Sequence, residues 1–143
     1  MEIYKDIEGY EGYYQVSNLG NVRSIDRCVN VERSGQMYLV KYKGKKITPS
    51  ESRGYYHVNL WRDGAMRSHS ISRLVATAFI PNPHDLPVVN HKDEDRKNNR
   101  SDNLEWCTYE YNNNYGNVKK KQRKSQINNT LKSKVTRQYS RDF

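Results

Sequence analysis

The fold is decided by the stretch Val88-Val89-Asn90-His91-Lys92-Asp93 and by Leu104-Glu105-Trp106-Cys107, which follows it after a polar segment. Each stretch contains a short apolar run of the length typical of strands, and Pro87 bounds the first of them. Thr108 comes directly after the second stretch and can cap a helix that begins at Tyr109. The sequence therefore predicts a strand, a loop, a strand and a helix, in this order.

Upstream of this region, the residues predict a hairpin and then a helix. Two strand-like segments, residues 55–61 and 66–71, flank Asp63-Gly64, a dipeptide that favours a tight hairpin turn. Apolar residues at helical spacing follow over residues 74–79, and a proline-rich segment ends that helix. Residues 1–50 are typical of short strands joined by turns, and no helix is expected there.

Composition limits the functions that the chain can have. Hydrophobic residues make up 34 % of the 143 residues, against roughly 45–50 % apolar usage in ordinary globular domains. A large core and a deep pocket for a small molecule are therefore not expected. No apolar run approaches the ~20 residues that a membrane span needs, and Cys28 and Cys107 are not spaced for a zinc site. We expect neither a membrane nor a small-molecule substrate as partner.

Positive charge is concentrated at the carboxyl end of the chain. The net charge is +9, and residues 117–143 carry nine Lys and Arg against a single Asp. The first 116 residues are almost balanced, with 16 Lys and Arg against 15 Asp and Glu. A polyanion is the partner that such a segment attracts, and nucleic acid fits this pattern best. We expect residues 117–143 to form a basic arm that is disordered, or helical on DNA.

The polar residues around His91 suit the hydrolysis of a phosphodiester. That reaction needs an activated water and a group that neutralises charge on the phosphate and the leaving oxygen. A histidine and one divalent cation can supply both. The amide oxygens of Asn90 and Asn112 are candidate ligands, because a hard cation such as Mg²⁺ prefers oxygen. Since Asn90 and His91 are neighbours, they can share a site only where the strand ends or kinks.

Two segments of the chain resemble known modules. The later segment resembles an HNH nuclease module of the phage homing-endonuclease type, and the earlier one resembles the small DNA-binding module that commonly precedes it. The later resemblance rests on Arg73-Leu74-Val75-Ala76, Phe79-Ile80-Pro81-Asn82-Pro83, Val89-Asn90-His91-Lys92-Asp93, Asn98-Asn99 and Asp102-Asn103-Leu104-Glu105-Trp106. The earlier one rests on Ile7-Glu8-Gly9-Tyr10-Glu11-Gly12-Tyr13-Tyr14-Gln15-Val16-Ser17-Asn18-Leu19-Gly20-Asn21-Val22-Arg23-Ser24.

The resemblance implies a ββα-metal fold and roles for four residues. It makes His91 the general base and Asn103 the residue that orients the His91 imidazole. It makes Asn90 and Asn112 the ligands of one divalent cation, Mg²⁺ or Mn²⁺. It also implies that the products carry 5′-phosphate and 3′-hydroxyl ends.

Contacts with DNA are expected from three groups of residues. In the loop between the two strands, Arg96, Lys97 and Arg100 are expected to touch backbone phosphates. In the first module the candidates are Tyr13, Tyr14, Asn18, Asn21 and Arg23. In the basic arm they are Lys119, Lys120, Lys121, Arg123 and Lys124.

These observations predict an α+β protein in three parts. Residues 1–52 form a small β-rich DNA-binding module, residues 53–116 an HNH nuclease module, and residues 117–143 the basic arm. The predicted function is a metal-dependent endonuclease that nicks double-stranded DNA as a monomer, in the cytoplasm of a bacterial host if a phage encodes it. The alternative is a DNA-binding protein without catalysis, built on a degenerate HNH scaffold.

Overall fold

Short antiparallel strands make up most of the first seventy residues of the structure, a computed structural model that describes residues 1–116. The predicted basic arm and its five candidate DNA contacts lie outside the described residues. The strands are β1 (Tyr4–Asp6), β2 (Tyr14–Ser17), β3 (Val22–Ser24), β4 (Arg27–Arg33), β5 (Gln36–Tyr42), β6 (Ser50–Ser52), β7 (Tyr55–Arg62) and β8 (Ala65–Ser70). Then come helix α1 (Ile71–Phe79), strand β9 (Val88–His91), a 3₁₀ turn (Ser101–Asn103), strand β10 (Leu104–Cys107) and helix α2 (109–116). The α+β class is confirmed.

The first sheet has the order β1-β2-β3 and turns tightly between its last two strands. The hydroxyl of Ser17, a fully buried residue, accepts hydrogen bonds from the backbone N–H groups of Leu19 (3.2 Å) and Asn21 (3.0 Å). Gly20 has a φ of +88°, which lies in the left-handed region that favours glycine. Residues 17–21 therefore form a turn fixed from within, and we call them the Ser17 turn.

Two further groups of strands complete the β-rich part. Strands β4 and β5 pair with each other as a ribbon, and β6, β7 and β8 form an antiparallel sheet in that order. The predicted hairpin is confirmed as β7 and β8, with Asp63 at φ +52° and Gly64 at φ +74° in its turn. Positive φ at both central residues is what a two-residue hairpin turn requires.

Helix α1 packs against the sheets through one apolar face. Ile71, Val75 and Ala76 are buried, and they recur at the spacing that places them on one side of the helix. Ser70 occupies the N-cap position, but its hydroxyl contacts the Ser72 hydroxyl at 2.8 Å and makes no capping bond. The helix ends at Phe79, two residues before Pro81, as the sequence predicts.

The predicted strand–loop–strand–helix unit is present. Strands β9 and β10 pair in antiparallel register, with Asn90 opposite Glu105 and His91 opposite Leu104. Thr108 begins α2: its hydroxyl accepts the Tyr111 N–H at 3.1 Å. This is the N-cap that the sequence predicts.

One hydrophobic core joins the two expected modules. It contains Val16 and Val22 from the first sheet, Leu60 from β7, Val75 from α1 and Leu104 from β10, all buried. Burial of each such side chain contributes roughly 1.5–3 kcal/mol relative to exposure. The boundary predicted between residues 52 and 53 falls inside the β6–β7 hairpin, so the two modules also share a sheet. Within residues 1–116, no helix is both long enough and apolar enough to cross a membrane.

Candidate active site

The end of β9 carries two buried polar residues. Asn90 and His91 are each 6 % exposed, and the strand ends at His91. The Asn90 side chain donates from Nδ2 to Glu105 Oε1 at 2.8 Å, across the β9–β10 pair. Because its amide hydrogen is engaged in this way, the oxygen Oδ1 of Asn90 is the atom left to meet a ligand.

A second asparagine holds the His91 ring. Nε2 of His91 lies 2.9 Å from Oδ1 of Asn99, whose side chain is itself buried. An amide oxygen can only accept, so Nε2 carries the hydrogen in this contact and Nδ1 is the basic nitrogen. Tyr55 lies on another side of the ring, with 6.2 Å between the two ring centroids.

The prediction that Asn103 orients the His91 imidazole stays a prediction, and the hydrogen bonds of the Asn103 side chain go to the loop instead of the ring. Nδ2 of Asn103 donates instead to Asp93 Oδ1 and to the Asn98 carbonyl, both at 2.9 Å. Its Oδ1 accepts the Asp93 N–H at 3.1 Å. Asn103 therefore braces the loop between β9 and β10, and Asn99 takes the position beside the imidazole. The physical reason is that an irregular loop separates these asparagines, and spacing alone does not fix their direction.

Asp93 is the centre of that loop. Its carboxylate accepts hydrogen bonds from Asn98 Nδ2 (2.8 Å), Asn103 Nδ2 (2.9 Å) and the Asp95 N–H (2.9 Å). Bonds from the Asn98 side chain, then the Asp95 backbone and the Asn103 side chain, lower the pKa of Asp93 below its ordinary value. The polar loop between β9 and β10 is thus an ordered loop closed around one carboxylate.

Helix α2 is docked across the β9–β10 hairpin by two tyrosines. The Tyr115 hydroxyl donates to the Lys92 carbonyl at 2.7 Å, directly after His91. Desolvation, followed by the nearby Glu105 carboxylate, raises the pKa of Tyr111. Asn112 is half-buried on the same helix, next to Tyr111. Its pairing with Asn90 at one cation stays a prediction.

The three predicted loop cations are exposed, and each has a partner. Arg96 lies over the Tyr55 ring, 4.8 Å from its centroid. Lys97 pairs with Glu51 at 3.1 Å, a contact that raises the pKa of Lys97. Arg100 lies 3.3 Å from Asp102. Exposed pairs of this kind are weak, so they leave these side chains able to turn to a phosphate.

The five candidates in the first module fall into three groups. Tyr13 and Arg23 are accessible; Arg23 lies 3.6 Å from the Tyr4 ring centroid. Tyr14 is 6 % exposed and its hydroxyl accepts the Trp61 N–H, so the structure places it in the core instead of at a DNA surface. Asn18 and Asn21 bind the amino-terminal segment, through Ile3 N–H and Glu2 Oε1 respectively. Their side chains thus attach the amino-terminal segment to the turn.

Two residues of the site lie in the motifs quoted from the sequence but were assigned no role there. Asn99 holds the His91 ring, and Glu105 holds the Asn90 amide. The signal for Glu105 was available, because a residue directly opposite Asn90 in an antiparallel pair shares its face. No comparable signal was available for Asn99, because Asn99 lies outside the helices and strands.

The protein supplies only some of the oxygen ligands that a hard divalent cation needs. Among the described residues 1–116, no group of three or more His, Cys, Asp or Glu side chains is placed to hold a metal ion. The oxygen Oδ1 of Asn90 is nevertheless oriented by the Glu105 contact, and Mg²⁺ and Mn²⁺ favour oxygen. These residues fit a cation that keeps several waters and completes its shell from a phosphate.

Comparison with family models finds two matches. Residues 2–61 match the NUMOD4 motif, and residues 71–114 match the HNH endonuclease family. The second match contains the whole β9–loop–β10 unit and Asn112.

Comparison with individual proteins finds relatives of the same kind. The chain is 38 % identical over 109 residues to DNA endonuclease I-HmuI of Bacillus phage SP01, covering 76 % of this chain and 54 % of that protein. It is 37 % identical over 102 residues to an uncharacterised HNH endonuclease of Acanthamoeba polyphaga mimivirus, of which it covers 26 %. A solved structure on DNA binding and cleavage by the HNH homing endonuclease I-HmuI is similar at a TM-score of 0.62 and 35 % identity, covering 89 % of this chain and 68 % of the solved chain.

Proposed function

This chain belongs to the HNH endonuclease family, and on that premise we propose that it is a metal-dependent endonuclease that hydrolyses phosphodiester bonds in double-stranded DNA. The observation that carries the proposal is the buried His91, held through Nε2 by Asn99, beside Asn90 at the end of β9. The chain spans about half the length of its curated relative I-HmuI. Any activity that needs the rest of such a protein is outside this proposal.

His91 acts as the general base through Nδ1. With the hydrogen of the ring on Nε2 and bound to Asn99, Nδ1 can take a proton from a water molecule. The activated water attacks phosphorus, and the bond to the 3′-oxygen breaks. The products then carry 5′-phosphate and 3′-hydroxyl ends.

Asn90 and Asn112 would hold the cation. When bound, it would supply positive charge at the phosphate and the leaving oxygen. The carboxylate of Glu105 orients the Asn90 amide. It also places a negative charge next to Asn90, which is a neutral ligand. Mg²⁺ and Mn²⁺ both prefer oxygen ligands of this kind.

DNA is held by the loop cations and by the basic arm. Arg96, Lys97 and Arg100 lie in the loop that follows His91, and Arg96 lies over the ring of Tyr55, which is also next to His91. A single site of this kind cuts one strand, and we propose that the protein nicks as a monomer. Because its relative I-HmuI belongs to a Bacillus phage, we place its action in the cytoplasm of a bacterial host.

Conversion of supercoiled plasmid to open circle in Mg²⁺ or Mn²⁺ tests the proposal. The plasmid should contain the locus next to the coding gene, so that a native target site is present. We expect nicking that EDTA abolishes and that falls by about 10²–10⁴-fold in His91→Ala, the usual contribution of a general base. His84→Ala, which removes an exposed histidine of a distant loop, should leave the rate unchanged.

Other outcomes separate the alternatives. Binding of the plasmid without any metal-dependent nicking would favour the DNA-binding protein on a degenerate HNH scaffold. A linear product that forms before the open circle would contradict the monomeric nick. Equal loss of activity in His91→Ala and His84→Ala would remove His91 from the mechanism.

A further inference from the structure

We infer that the Ser17 turn, which belongs to the first module, positions His91 by clamping Asn99, and that Gly20 is the residue on which this clamp depends. The inference rests on the proposed role of His91 as the general base. It assigns to the first module a part in catalysis in addition to DNA binding.

The turn and the active-site loop meet at two points. The Ser101 N–H donates to the Asn18 carbonyl at 2.8 Å. Two residues earlier in the same loop, Asn99 packs on Gly20: a Cβ at Gly20 would lie 3.0 Å from Asn99 Cβ and 3.2 Å from the Asn99 carbonyl oxygen. The loop is therefore held on both sides of Arg100.

The turn is rigid enough to act as a clamp. The buried hydroxyl of Ser17 accepts two backbone hydrogen bonds within it, and the Ser17 carbonyl accepts the Gly20 N–H at 3.0 Å. On its outer side, the Asn18 side chain binds the backbone of Ile3 at 2.8 Å. A turn fixed from both directions transmits a displacement to its neighbour and does not absorb it.

The clamp reaches the His91 ring through a single side chain. Asn99 is 5 % exposed, and its Oδ1 faces Nε2 of His91 at 2.9 Å. A shift of a few tenths of an ångström in the Asn99 backbone changes that contact directly. The hydrogen bond from Nε2 to Asn99 then weakens, and the tautomer that leaves Nδ1 basic is less favoured.

Gly20→Ala tests the clamp, and Gly9→Ala is its matched control. Both glycines have positive φ, +88° and +82°, so both substitutions introduce the same backbone strain. Only at Gly20 would the new methyl group meet Asn99; at Gly9 nothing lies within 4 Å. A difference between the two variants therefore reports the contact and not the strain.

Ser101→Pro is a second, independent variant. Proline removes the N–H that Ser101 donates to Asn18. Arg100, the residue before it, already has the extended conformation that precedes proline (ψ 141°), and Ser101 begins the 3₁₀ turn, where proline is accepted. The substitution thus deletes one hydrogen bond with little change in the backbone.

The first measurement is the tautomer of His91 by long-range ¹H–¹⁵N NMR, without metal or DNA, with His91→Ala used for assignment. We expect the Nε2–H tautomer to dominate in the wild type and in Gly9→Ala, and to lose its preference in Gly20→Ala and Ser101→Pro. An unchanged tautomer in both of these variants would overturn the inference. If one of the two does not fold, the other decides.

The second measurement is the single-turnover nicking rate with saturating DNA. We expect a loss of about 10–100-fold in Gly20→Ala and Ser101→Pro, the range for a misplaced catalytic group, with DNA affinity within about twofold of Gly9→Ala. Equal rates in Gly20→Ala and Gly9→Ala would contradict the clamp. A wild-type protein without nicking activity would contradict the proposed function, and the tautomer measurement would still decide the clamp.

Discussion

At the scale of single residues, the site depends on amides whose direction is set by a partner. Asn90 presents Oδ1 because Glu105 takes its amide hydrogen, and His91 presents Nδ1 because Asn99 takes the hydrogen of Nε2. A neutral ligand attracts a cation less than a carboxylate does, and Glu105 restores a negative charge close to it. The pair Asn90–Glu105 therefore acts as one unit.

Glu105→Gln should weaken the affinity of the site for the metal in a measurable way. The substitution removes the negative charge, and the glutamine can rotate its own amide toward Asn90. We therefore expect the Mn²⁺ concentration for half-maximal nicking to rise by about tenfold. Isothermal calorimetry with Mn²⁺ on the protein–DNA complex should show the same shift in affinity. Glu110→Gln, on the exposed start of α2, is the control and should show no shift.

At the scale of elements, the loop between β9 and β10 is a structured unit built around Asp93. The carboxylate has its pKa lowered by the bonds it accepts, so the folded state binds a proton less readily than the unfolded state. The stability that these bonds contribute is complete above the ordinary pKa of Asp. It is lost as the pH falls through the lowered value.

Asp93→Asn should therefore reduce the acid sensitivity of this loop. In the wild type we expect the melting temperature to fall as the pH drops below about 4, and part of that fall to disappear in Asp93→Asn, which is less stable at pH 7. Amide hydrogen exchange over residues 92–103 at pH 7 should be faster in the variant. Asp85→Asn, which changes another exposed loop carboxylate, should keep the wild-type profile.

At the scale of the whole molecule, the two modules depend on each other. Their apolar residues form one core, the β6–β7 hairpin crosses the expected boundary, and the Ser17 turn contacts the active-site loop. The apolar content of the chain is only 34 %, and both parts contribute their apolar residues to this one core. Because the charge of residues 1–116 is nearly balanced, the proposed long-range attraction of DNA rests on the basic residues of 117–143.

Removal of residues 117–143 should change the salt dependence of DNA binding. If five or six of the nine basic residues contact phosphates, the log–log slope of affinity against salt becomes shallower by roughly 0.9 per contact. Fluorescence anisotropy between low and moderate salt measures both slopes. An unchanged slope in the truncated protein would mean that the arm does not contact DNA.

The sequence by itself determined those features that neighbouring residues decide. Asp63-Gly64 predicted the β7–β8 turn, and Thr108 predicted the start of α2, because turn and cap preferences act over a few residues. The alternation of short apolar runs with a polar loop predicted β9 and β10. The pattern around His91 predicted the family, and with it the α+β fold.

Only the tertiary structure decided which side chains meet. Asn99 and Asn103 are chemically identical and lie in one irregular loop, so no periodicity shows which of them faces His91. Tyr14 lies in a tyrosine-rich segment whose composition suits a surface, but its ring fills the shared core. The contact of Gly20 with Asn99 joins residues that are distant in the chain. Such contacts are fixed by the packing of whole elements, which local preferences do not contain.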